Sequence, residues 1–393
     1  MAGPTRVGNG RTGLLVWGFD GIDPEAIAQA ERTARLPFVH GRVALMPDAH
    51  VGKGATIGTV IATDAAIVPA AVGVDIGCGM IAARTEISAT ELPDDLAALH
   101  GEIARRVPAG MGQGHEFERA GAAWIGAHAH RPSLLSDRKG ARAAGQFGTL
   151  GSGNHFIEVC LDEQDRVWVV LHSGSRGIGK LLADRHIGAA KDLMRRYFIE
   201  LEDPDLAYLA EGTPEFDEYV ADMLWAQDYA AANRARMLEL VVAALAEFLA
   251  RPVEFVETRN CHHNYTEREQ VHGRSLWVTR KGAIRARAGD FGVIPGSMGT
   301  SSYIVEGLGN VASYCSSSHG AGRRLSRTAA RRKLTVADLG VRMQGKAWNA
   351  AQAEQLVDEH PDAYKDIASV MDAQSDLVRI RHELRQVLNY KGA

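Results

Sequence analysis

The sequence has few cysteines and lacks both a signal peptide and a long apolar run. Its four cysteines, at positions 78, 160, 261 and 315, form no C-x-x-C pair, which indicates a reduced, intracellular protein rather than a disulfide framework. The first ten residues contain no apolar segment. The apolar stretch from 57 to 74 is interrupted by Asp64, Pro69 and Gly73, so it is too broken to span a bilayer. We expect a soluble, cytoplasmic protein with no membrane partner.

An excess of positive charge is also missing. With 44 Lys and Arg against 48 Asp and Glu, the net charge is −4, so any contact with nucleic acid must come from a local basic patch. The sequence contains no G-x-x-x-x-G-K-[ST], H-E-x-x-H, G-x-S-x-G or K-x-D-G string, which argues against the familiar phosphate-loop, zinc-protease, serine-hydrolase and lysine-nucleotidylating sites. Residues 307–312 fit a loose G-x-G-x-x-A pattern, but a Ser-rich segment follows instead of a helix, which predicts a tight turn.

The composition is otherwise that of an ordinary globular protein. Hydrophobic residues make up 46% and charged residues 23% of the 393 residues, enough for a sizeable core. The length fits one large domain or two average ones. We find no internal repeat or linker, and the motifs that carry chemistry are spread from residue 48 to residue 391. These features predict one composite domain, residues 1–393.

Strand patterns alternate with helical patterns without a regular βαβ rhythm, which predicts an α+β fold. The segments 155–162 and 167–173 read as a hairpin. Apolar residues at helical spacing predict helices at 178–197 and 215–250, with Pro252 ending the second, and further helices around 336–356 and 373–388. Other strands are predicted at 41–50, 54–63, 73–87, 253–257, 276–286, 291–296 and 302–309.

The first candidate site is the glycine-rich string VGVDIGCG at 72–79. Asp75 and Cys78 are three residues apart, close enough for a carboxylate and a thiolate to hold one metal ion. A bound metal would keep the thiol deprotonated. Taken alone, the string also fits a buried cysteine in a tight turn with a capping aspartate.

Two further strings place histidines at strand ends. In GSGNHFIE, His155 and Glu158 are separated by an odd number of positions, so they face opposite sides of a strand unless the strand starts late or bends. In LHSGSRG, His172 is followed by Arg176 in a glycine loop, a setting suited to phosphate. Each histidine taken separately also fits a structural role.

The last two strings are NCHHN at 260–264 and SSSHGAGR at 316–323. His319 stands between hydroxyl residues and a Gly-Ala-Gly turn, which suits an imidazole approached by a phosphate. The basic residues from Arg323 to Lys333 form either a solvated helix face or a surface for an RNA backbone. One Asp, one Cys and at least three His suffice for two metal ions if Cys78 bridges them, and ligand softness alone favours zinc.

Several long strings together resemble the RtcB-type RNA-splicing ligases, with the bacterial branch most similar. They are MPDAHVGKGATIG, VGVDIGCGM, LGSGNHFIEV, HSGSRGIG, CHHNY, IPGSMG, SSHGAGR and the terminal KG, in this order. The resemblance implies a single α+β ligase domain in which mixed strands surround a central metal and nucleotide cleft, with helical insertions. The segment 110–142 departs from the family pattern, which leaves its role in RNA access open.

The resemblance also implies a role for individual residues. Asp75, Cys78 and His263 would bind one Mn²⁺ ion, and Cys78, His155 and His172 the second. His319 would be the nucleophile that becomes guanylated. Arg176, Lys281 and Arg323 would contact phosphates of GTP or RNA. The nucleotide-binding residues would be Asn154, His155, Phe156, Ile157, Glu158, His263, Asn264, Pro295, Gly296, Ser297, Met298, Ser302, His319, Gly320, Ala321, Gly322 and Lys391.

The implied activity is a GTP- and Mn²⁺-dependent ligation of RNA, in which manganese replaces the zinc that ligand softness favours. An RNA 3′-phosphate or 2′,3′-cyclic phosphate end would be joined to a 5′-hydroxyl end through a guanylated histidine and an RNA 3′-guanylate. An archease-type activator is a candidate partner. The alternatives are a metal-dependent phosphoesterase or RNA-end-capping paralogue on the same site, and an RNA-binding scaffold without catalysis.

Overall fold

The computed structural model describes residues 3–8, 13–116, 119–136 and 138–392, so residues 117, 118 and 137 of the divergent segment lie outside the described part. The strands are β1 (Thr5–Val7), β2 (Leu14–Val16), β3 (Val43–His50), β4 (Ile57–Thr63), β5 (Ala66–Ile67), β6 (Gly79–Ser88), β7 (Phe156–Leu161), β8 (Arg166–Ser173), β9 (Leu209–Ala210), β10 (Phe255–His262), β11 (Asn264–Val271), β12 (Arg274–Lys281), β13 (Ala283–Arg285), β14 (Phe291–Pro295), β15 (Ser302–Gly307), β16 (Ser316–Ser318), β17 (Ala347–Trp348) and β18 (Val378–Lys391). The helices are α1 (Pro24–Ala34), α2 (Pro69–Val72), α3 (Ala97–Arg106), α4 (Arg119–Ala127), α5 (Arg138–Gln146), α6 (Arg176–Arg196), α7 (Pro214–Phe248), α8 (Arg327–Lys333), α9 (Val336–Arg342), α10 (Ala353–Leu356) and α11 (Ile367–Asp372).

Two large sheets carry the fold. One has the strand order β1-β2-β3-β4-β12-β11, and the other has the order β10-β6-β8-β7-β18-β15-β14, with β17 beside β18. The chain leaves the second sheet at the end of β10 and enters the first at the start of β11, with His263 between them. The two sheets are therefore joined at a histidine of the candidate site. The mixture of sheets and helices confirms the predicted α+β class.

The predicted hairpin is present as β7 and β8. Its two strands pair antiparallel, with Phe156 opposite His172 and Leu161 opposite Val167. β8 has the sequence RVWVVLHS, and its β-branched and aromatic residues favour an extended strand. Seven of its eight residues are buried, because neighbouring strands and helices cover it. The hairpin thus forms a rigid support whose open end carries His172.

The two long helices match the predictions for 178–197 and 215–250. α7 begins after the N-cap Thr213, whose hydroxyl accepts the N–H of Phe216, and Pro214 stands at its first position. α6 and α7 bury apolar residues against each other and against the sheet. No helix among the described residues is long and apolar enough to cross a membrane.

The predictions for the C-terminal part were right only in places. Residues 378–391 form strand β18, so the helix predicted at 373–388 is wrong. The apolar spacing there also fits a helix, but β7 and β15 offer open strand edges on both sides, and pairing with both outweighs local preference. The helix predicted at 336–356 is present only in part, as α9 and α10. The tight turn predicted at 307–312 is confirmed, with Gly309 at φ +70°.

Candidate metal and nucleotide site

The distributed motifs meet at one cavity. Its volume is about 370 Å³, and its lining residues come from loops and strand ends between His50 and Lys391. Of the predicted site residues, the lining includes Asp75, Cys78, Asn154, Phe156, Glu158, His172, His263, Asn264, Lys281, Pro295, Gly296, Ser297, Met298, His319, Gly320, Ala321, Gly322, Arg323 and Lys391. The structure therefore brings most of the residues predicted from the sequence into one place.

Three of the predicted metal ligands form a compact cluster. Cys78 Sγ lies 3.4 Å from His155 Nε2 and 3.2 Å from His172 Nε2. Their donor atoms all lie within 4.8 Å of one another, and all three side chains are buried. A thiolate and two imidazoles at this spacing form a donor set suited to a transition metal ion.

Backbone carbonyls set the orientation of both imidazoles. His155 Nδ1 lies 2.9 Å from the carbonyl oxygen of Leu150, and His172 Nδ1 lies 3.0 Å from that of Asn154. A carbonyl only accepts, so Nδ1 of His172 carries the proton and its Nε2 presents a lone pair. The ring of His155 is held from both sides, because Arg176 Nη1 also lies 3.1 Å from its Nδ1 and Asp75 Oδ2 lies 3.1 Å from its Nε2. Metal-binding histidines are commonly oriented in this way.

The other two predicted ligands adjoin this cluster. Asp75 Oδ2 lies 3.1 Å from His155 Nε2, and His263 Nε2 lies 2.9 Å from His172 Nε2. His263 Nδ1 is buried and has no hydrogen-bond partner among the described residues. All five predicted ligands are thus contiguous, and the converging donor atoms fit a metal centre.

The electrostatics of the cluster follow from burial. Burial lowers the pKa of His172 and His263 well below the ordinary value, so both rings are neutral and have lone pairs to give. Burial raises the pKa of the Cys78 thiol, which a bound cation would reverse. Burial also opposes ionisation of Asp75, but the hydrogen bond with His155 and the nearby charge of Arg176 outweigh it and lower the pKa of Asp75 to about 2.

The geometry resolves the question raised by His155 and Glu158. β7 begins at Phe156, so His155 precedes the strand and its ring is free of the strand alternation. Within the strand, Phe156 and Glu158 share the face that lines the cavity, whereas Ile157 is fully buried in the apolar core on the other face. A late start of the strand allows His155 and Glu158 to border the same site.

His319 lies beside the metal cluster and against a buried carboxylate. Its ring centre is 4.7 Å from that of His263. Asp48 Oδ2 lies 2.7 Å from His319 Nδ1 and accepts the backbone N–H groups of His319 and Gly320. Asp48 is fully buried. Asp48 belongs to the string MPDAH, but it was not predicted as a site residue because 271 residues of sequence separate it from His319.

The cavity lining also includes two buried acids with different charge states, Glu158 and Glu359. Burial raises the pKa of Glu158 to about 8, although Lys391, Ser302 and Asn389 favour the ionised form. Asn389 Nδ2 donates to Glu158 Oε1 at 2.9 Å. Burial also opposes ionisation of Glu359, but the charges of Lys391 and arginines lower its pKa to about 2. Asn389 and Glu359 are site residues that the motif search missed.

The three residues predicted to contact phosphates are engaged with protein groups. Lys281 Nζ lies 2.5 to 2.9 Å from the carbonyl oxygens of Lys53, Ala55 and Ala70, and burial lowers its pKa to about 7. Arg176 Nη1 lies 3.1 Å from His155 Nδ1 and stands behind the metal cluster.

The basic segment that starts at Arg323 also has acidic neighbours. Arg323 Nη1 lies 3.3 Å from Glu359 Oε1, and Arg327 pairs with both Asp358 and Glu359. Arg331 pairs with Asp358 as well. Part of this segment is therefore neutralised by two buried acids, and it is neither a plain solvated face nor a fully free basic surface.

Comparison with known proteins agrees with the site. The family model described as tRNA-splicing ligase RtcB matches residues 29–392. RNA-splicing ligase RtcB of Escherichia coli (strain K12) is 46% identical over 395 residues, covering 94% of this chain and 95% of that protein. RNA-splicing ligase RtcB of Mycobacterium tuberculosis (strain H37Rv) is 31% identical, covering 89% and 97%. tRNA-splicing ligase RtcB of Methanococcus maripaludis is 30% identical, covering 91% and 89%. With a family match over nearly all its length, the chain belongs to the RtcB family of tRNA-splicing ligases.

Proposed function

We propose that this RNA ligase joins RNA 3′-phosphate or 2′,3′-cyclic phosphate ends to 5′-hydroxyl ends, using GTP and two Mn²⁺ ions. The observation that carries the proposal is the contact between His319 and the metal cluster, with a ring separation of 4.7 Å from His263. In this position His319 lies beside residues that would hold the metal ions and beside the buried carboxylate of Asp48. Family membership and the relatives' names support ligation over the phosphoesterase and capping alternatives.

In the first step, His319 Nε2 attacks the α-phosphorus of GTP. Asp48 faces Nδ1, so the ring proton stays at Nδ1 and the lone pair is directed from Nε2. The new N–P bond forms as the bond to the pyrophosphate oxygen breaks, and pyrophosphate leaves with the electron pair. The Asp48 carboxylate stabilises the positive charge that develops on the ring.

The metal ions would be held by Asp75, Cys78 and His263 in one position and by Cys78, His155 and His172 in the other. When bound, they would supply Lewis-acid neutralisation of the phosphate charge. Cys and His donors suit zinc by softness, and manganese is proposed from the family resemblance. The protein's own contribution is the fixed orientation of the Nε2 atoms by backbone carbonyls.

Guanine selection is proposed for the pair Glu158 and Lys391. Glu158 would accept the N1–H and N2–H groups of guanine, and Lys391 would donate to O6, a pattern that adenine cannot match. Lys391 Nζ lies 3.0 Å from Glu359 Oε2 and 5.6 Å from the centre of the Phe156 ring. The other nucleotide-binding residues implied by the family resemblance are also proposed to contact the nucleotide. Ile157 and Ser302 are fully buried, so Ile157 would contact it through its backbone, and Ser302 would act through its hydrogen bond with Glu158.

The RNA steps follow from the guanylated histidine. A 2′,3′-cyclic phosphate is first opened by water to a 3′-phosphate. An oxygen of that phosphate attacks the phosphorus on His319, and the N–P bond breaks to regenerate the imidazole. The 5′-hydroxyl then attacks the phosphorus of the 3′-phosphate and displaces GMP, so the 3′,5′ linkage forms without a second nucleoside triphosphate. Arg176, Lys281 and Arg323 are proposed for phosphates in these steps, for which Lys281 and Arg323 must exchange present contacts.

We further propose that residues 1–393 act as one ligase domain, because the residues that line the cavity come from positions between His50 and Lys391. The cytoplasm is the proposed compartment, on the small number of cysteines and their lack of a C-x-x-C pair. An archease-type activator remains a proposed partner, on the family resemblance alone.

A ligation assay separates the proposed reaction from its alternatives. A labelled RNA with a 2′,3′-cyclic phosphate is incubated with a 5′-hydroxyl RNA, GTP and Mn²⁺. We expect a longer product that requires GTP and is lost in His319→Ala. Release of phosphate, or a capped 3′ end without a longer product, would instead identify a phosphoesterase or a capping enzyme.

A further inference from the structure

A fully buried arginine on the long helix contacts the backbone around three of the proposed metal ligands. Arg234 lies in the middle of α7 and has no exposed surface. Its Nη1 donates to the carbonyl oxygens of Gly77 at 2.8 Å and Ser173 at 3.0 Å. Gly77 directly precedes Cys78, and Ser173 directly follows His172.

The remaining nitrogens of the same guanidinium reach the third ligand strand. Arg234 Nε donates to Asn260 Oδ1 at 2.8 Å, and Nη2 lies 3.2 Å from Nδ1 of His262, the residue before His263. One side chain thus contacts the immediate sequence neighbour of Cys78, of His172 and of His263. A planar guanidinium with its five fixed N–H groups can hold three chain segments in one geometry.

The preceding residue of α7, Asn233, extends the same support to a fourth proposed ligand, His155. Asn233 Oδ1 accepts the N–H of Gly148 at 2.7 Å, and its Nδ2 lies 3.3 Å from the carbonyl oxygen of Gly174. Gly148 lies two residues before Leu150, whose carbonyl orients His155. The helix also approaches the loop closely. A Cβ at Gly77, which has φ +72°, would lie 2.8 Å from the Cα of Gln227.

The charge of Arg234 bears on the metal centre as well. The four polar contacts of its guanidinium are all with neutral groups. The positive charge of the guanidinium therefore lies behind the loop that holds Cys78.

We propose that Arg234 is a positioning residue for the metal centre, which sets the relative placement of Cys78, His172 and His263 from behind without touching metal, nucleotide or RNA. This inference rests on the proposed metal centre. A purely structural role predicts only a loss of stability when Arg234 is replaced. A positioning role predicts a change in metal binding that exceeds the loss produced by an equally destabilising change elsewhere on α7.

The test uses cobalt(II) alone as the probe, because a thiolate ligand gives cobalt a charge-transfer absorption that reports directly on Cys78. The full-length chain is compared with Arg234→Met, Arg234→Lys and Val241→Ala. Val241 is a buried core residue two turns further along α7, and its truncation is the control for lost stability. Thermal unfolding, cobalt affinity by chelator competition and the charge-transfer spectrum are measured for each.

We expect Arg234→Met to weaken cobalt binding about 10- to 100-fold, the usual cost of removing an outer support of a metal site, and to alter the spectrum. Arg234→Lys should recover part of the affinity, since an ammonium reaches some of the same carbonyls. Val241→Ala should unfold earlier yet keep the wild-type spectrum and affinity.

Wild-type affinity and spectrum in Arg234→Met would overturn the inference while leaving the metal centre intact. If Arg234→Met does not fold, Arg234→Lys provides the test. Reduced stability of Arg234→Lys together with wild-type cobalt affinity and spectrum would contradict a positioning role. Absence of a thiolate band in the unmodified protein would instead overturn the proposed metal centre itself.

Discussion

Asp48 and His319 meet across 271 residues of sequence, and we propose that their contact keeps the ring proton at Nδ1. The carboxylate lies 2.7 Å from Nδ1 and also holds two backbone N–H groups of the His319 turn. Asp48 is fully buried, so solvent water does not compete for these contacts of its carboxylate. We therefore treat Asp48 and His319 together as the proposed nucleophilic unit, of which the sequence motifs indicated only His319.

Asp48→Asn should slow guanylation of the protein by about 100-fold or more, because an amide can stabilise the wrong tautomer and carries no charge for the developing imidazolium. Single-turnover transfer from labelled GTP measures this rate, and the apparent affinity for GTP should change little. Asp64→Asn is the control, since Asp64 forms a surface ion pair with Arg274. A wild-type rate in Asp48→Asn would contradict the assigned role.

The proposed role of Glu158 predicts that GTP binding depends on pH. Its pKa is about 8 in the nucleotide-free site because of burial, so it is mostly protonated at pH 7. Only the ionised form accepts both guanine N–H groups. Protons therefore compete with GTP, and affinity should fall up to tenfold per unit as pH decreases below 8.

Equilibrium GTP binding between pH 6.5 and 8.5 at constant ionic strength tests this. Glu158→Gln should bind GTP more weakly at pH 8.5 and lose the pH dependence, whereas Glu306→Gln, which alters a surface acid paired with Arg381, should keep it. An affinity that does not vary with pH in the unmodified chain would refute the proposed role of Glu158.

At the level of elements, the sequence predicted the hairpin and the two long helices because their patterns are long and undisturbed. The C-terminal strand β18 was predicted as a helix because apolar residues of the segment 373–388, including Leu377, Leu384 and Leu388, also recur at helical spacing. Its strand form depends on β7 and β15, which lie more than 70 residues away along the chain. Local sequence holds no signal for that pairing.

The segment that departs from the family pattern is anchored to α6 and α7. Asp222 is buried and bonds His130 Nε2 and His186 Nε2, each at 2.8 Å. Trp124 of α4 packs against Trp225 and Tyr229 of α7. None of these side chains lines the candidate cavity. The segment is thus fixed by its own contacts, independently of the metal ligands.

Asp222→Ala should destabilise this segment by about 3 kcal/mol, because it leaves the buried His186 and the half-buried His130 without their acceptor. Hydrogen–deuterium exchange of α4 should increase, while guanylation should stay within about threefold of wild type. The control is Asp228→Ala. The Asp228 carboxylate is 64% exposed and pairs with His128, and the loss of such an exposed pair should lower the free energy of unfolding by less than about 1 kcal/mol. Unchanged exchange of α4 in Asp222→Ala would contradict this.

For the whole molecule, four of the five proposed metal donors stand in short glycine-rich strings and the fifth, His263, stands in NCHHN. Their assignment to metal ions comes from the resemblance to the RtcB family. Their joint geometry could not be predicted, since it arises where two sheets meet at His263 and where α7 inserts Asn233 and Arg234 behind the loops. An arginine in the middle of a helix belongs to no sequence motif that would indicate its role. Its contacts with the loops can be seen only in the folded chain.

Metal binding should therefore stabilise the whole fold. After chelation, addition of Mn²⁺ at about 100 times its dissociation constant should raise the free energy of unfolding by about 2.7 kcal/mol. Thermal or denaturant unfolding measures the gain. Cys78→Ser should lose most of it, whereas Cys315→Ser, which lies outside the candidate cavity, should retain it. An equal gain in both variants would contradict metal binding at Cys78.

The central claim is that His319 carries GMP, and its most direct measurement is covalent labelling. The protein is incubated with α-labelled GTP and Mn²⁺, and the adduct is tested for acid lability and located by mass spectrometry. The account predicts an acid-labile GMP on His319, absent in His319→Ala and retained in His128→Ala. A label that persists in His319→Ala, or no label on the unmodified protein, would contradict it.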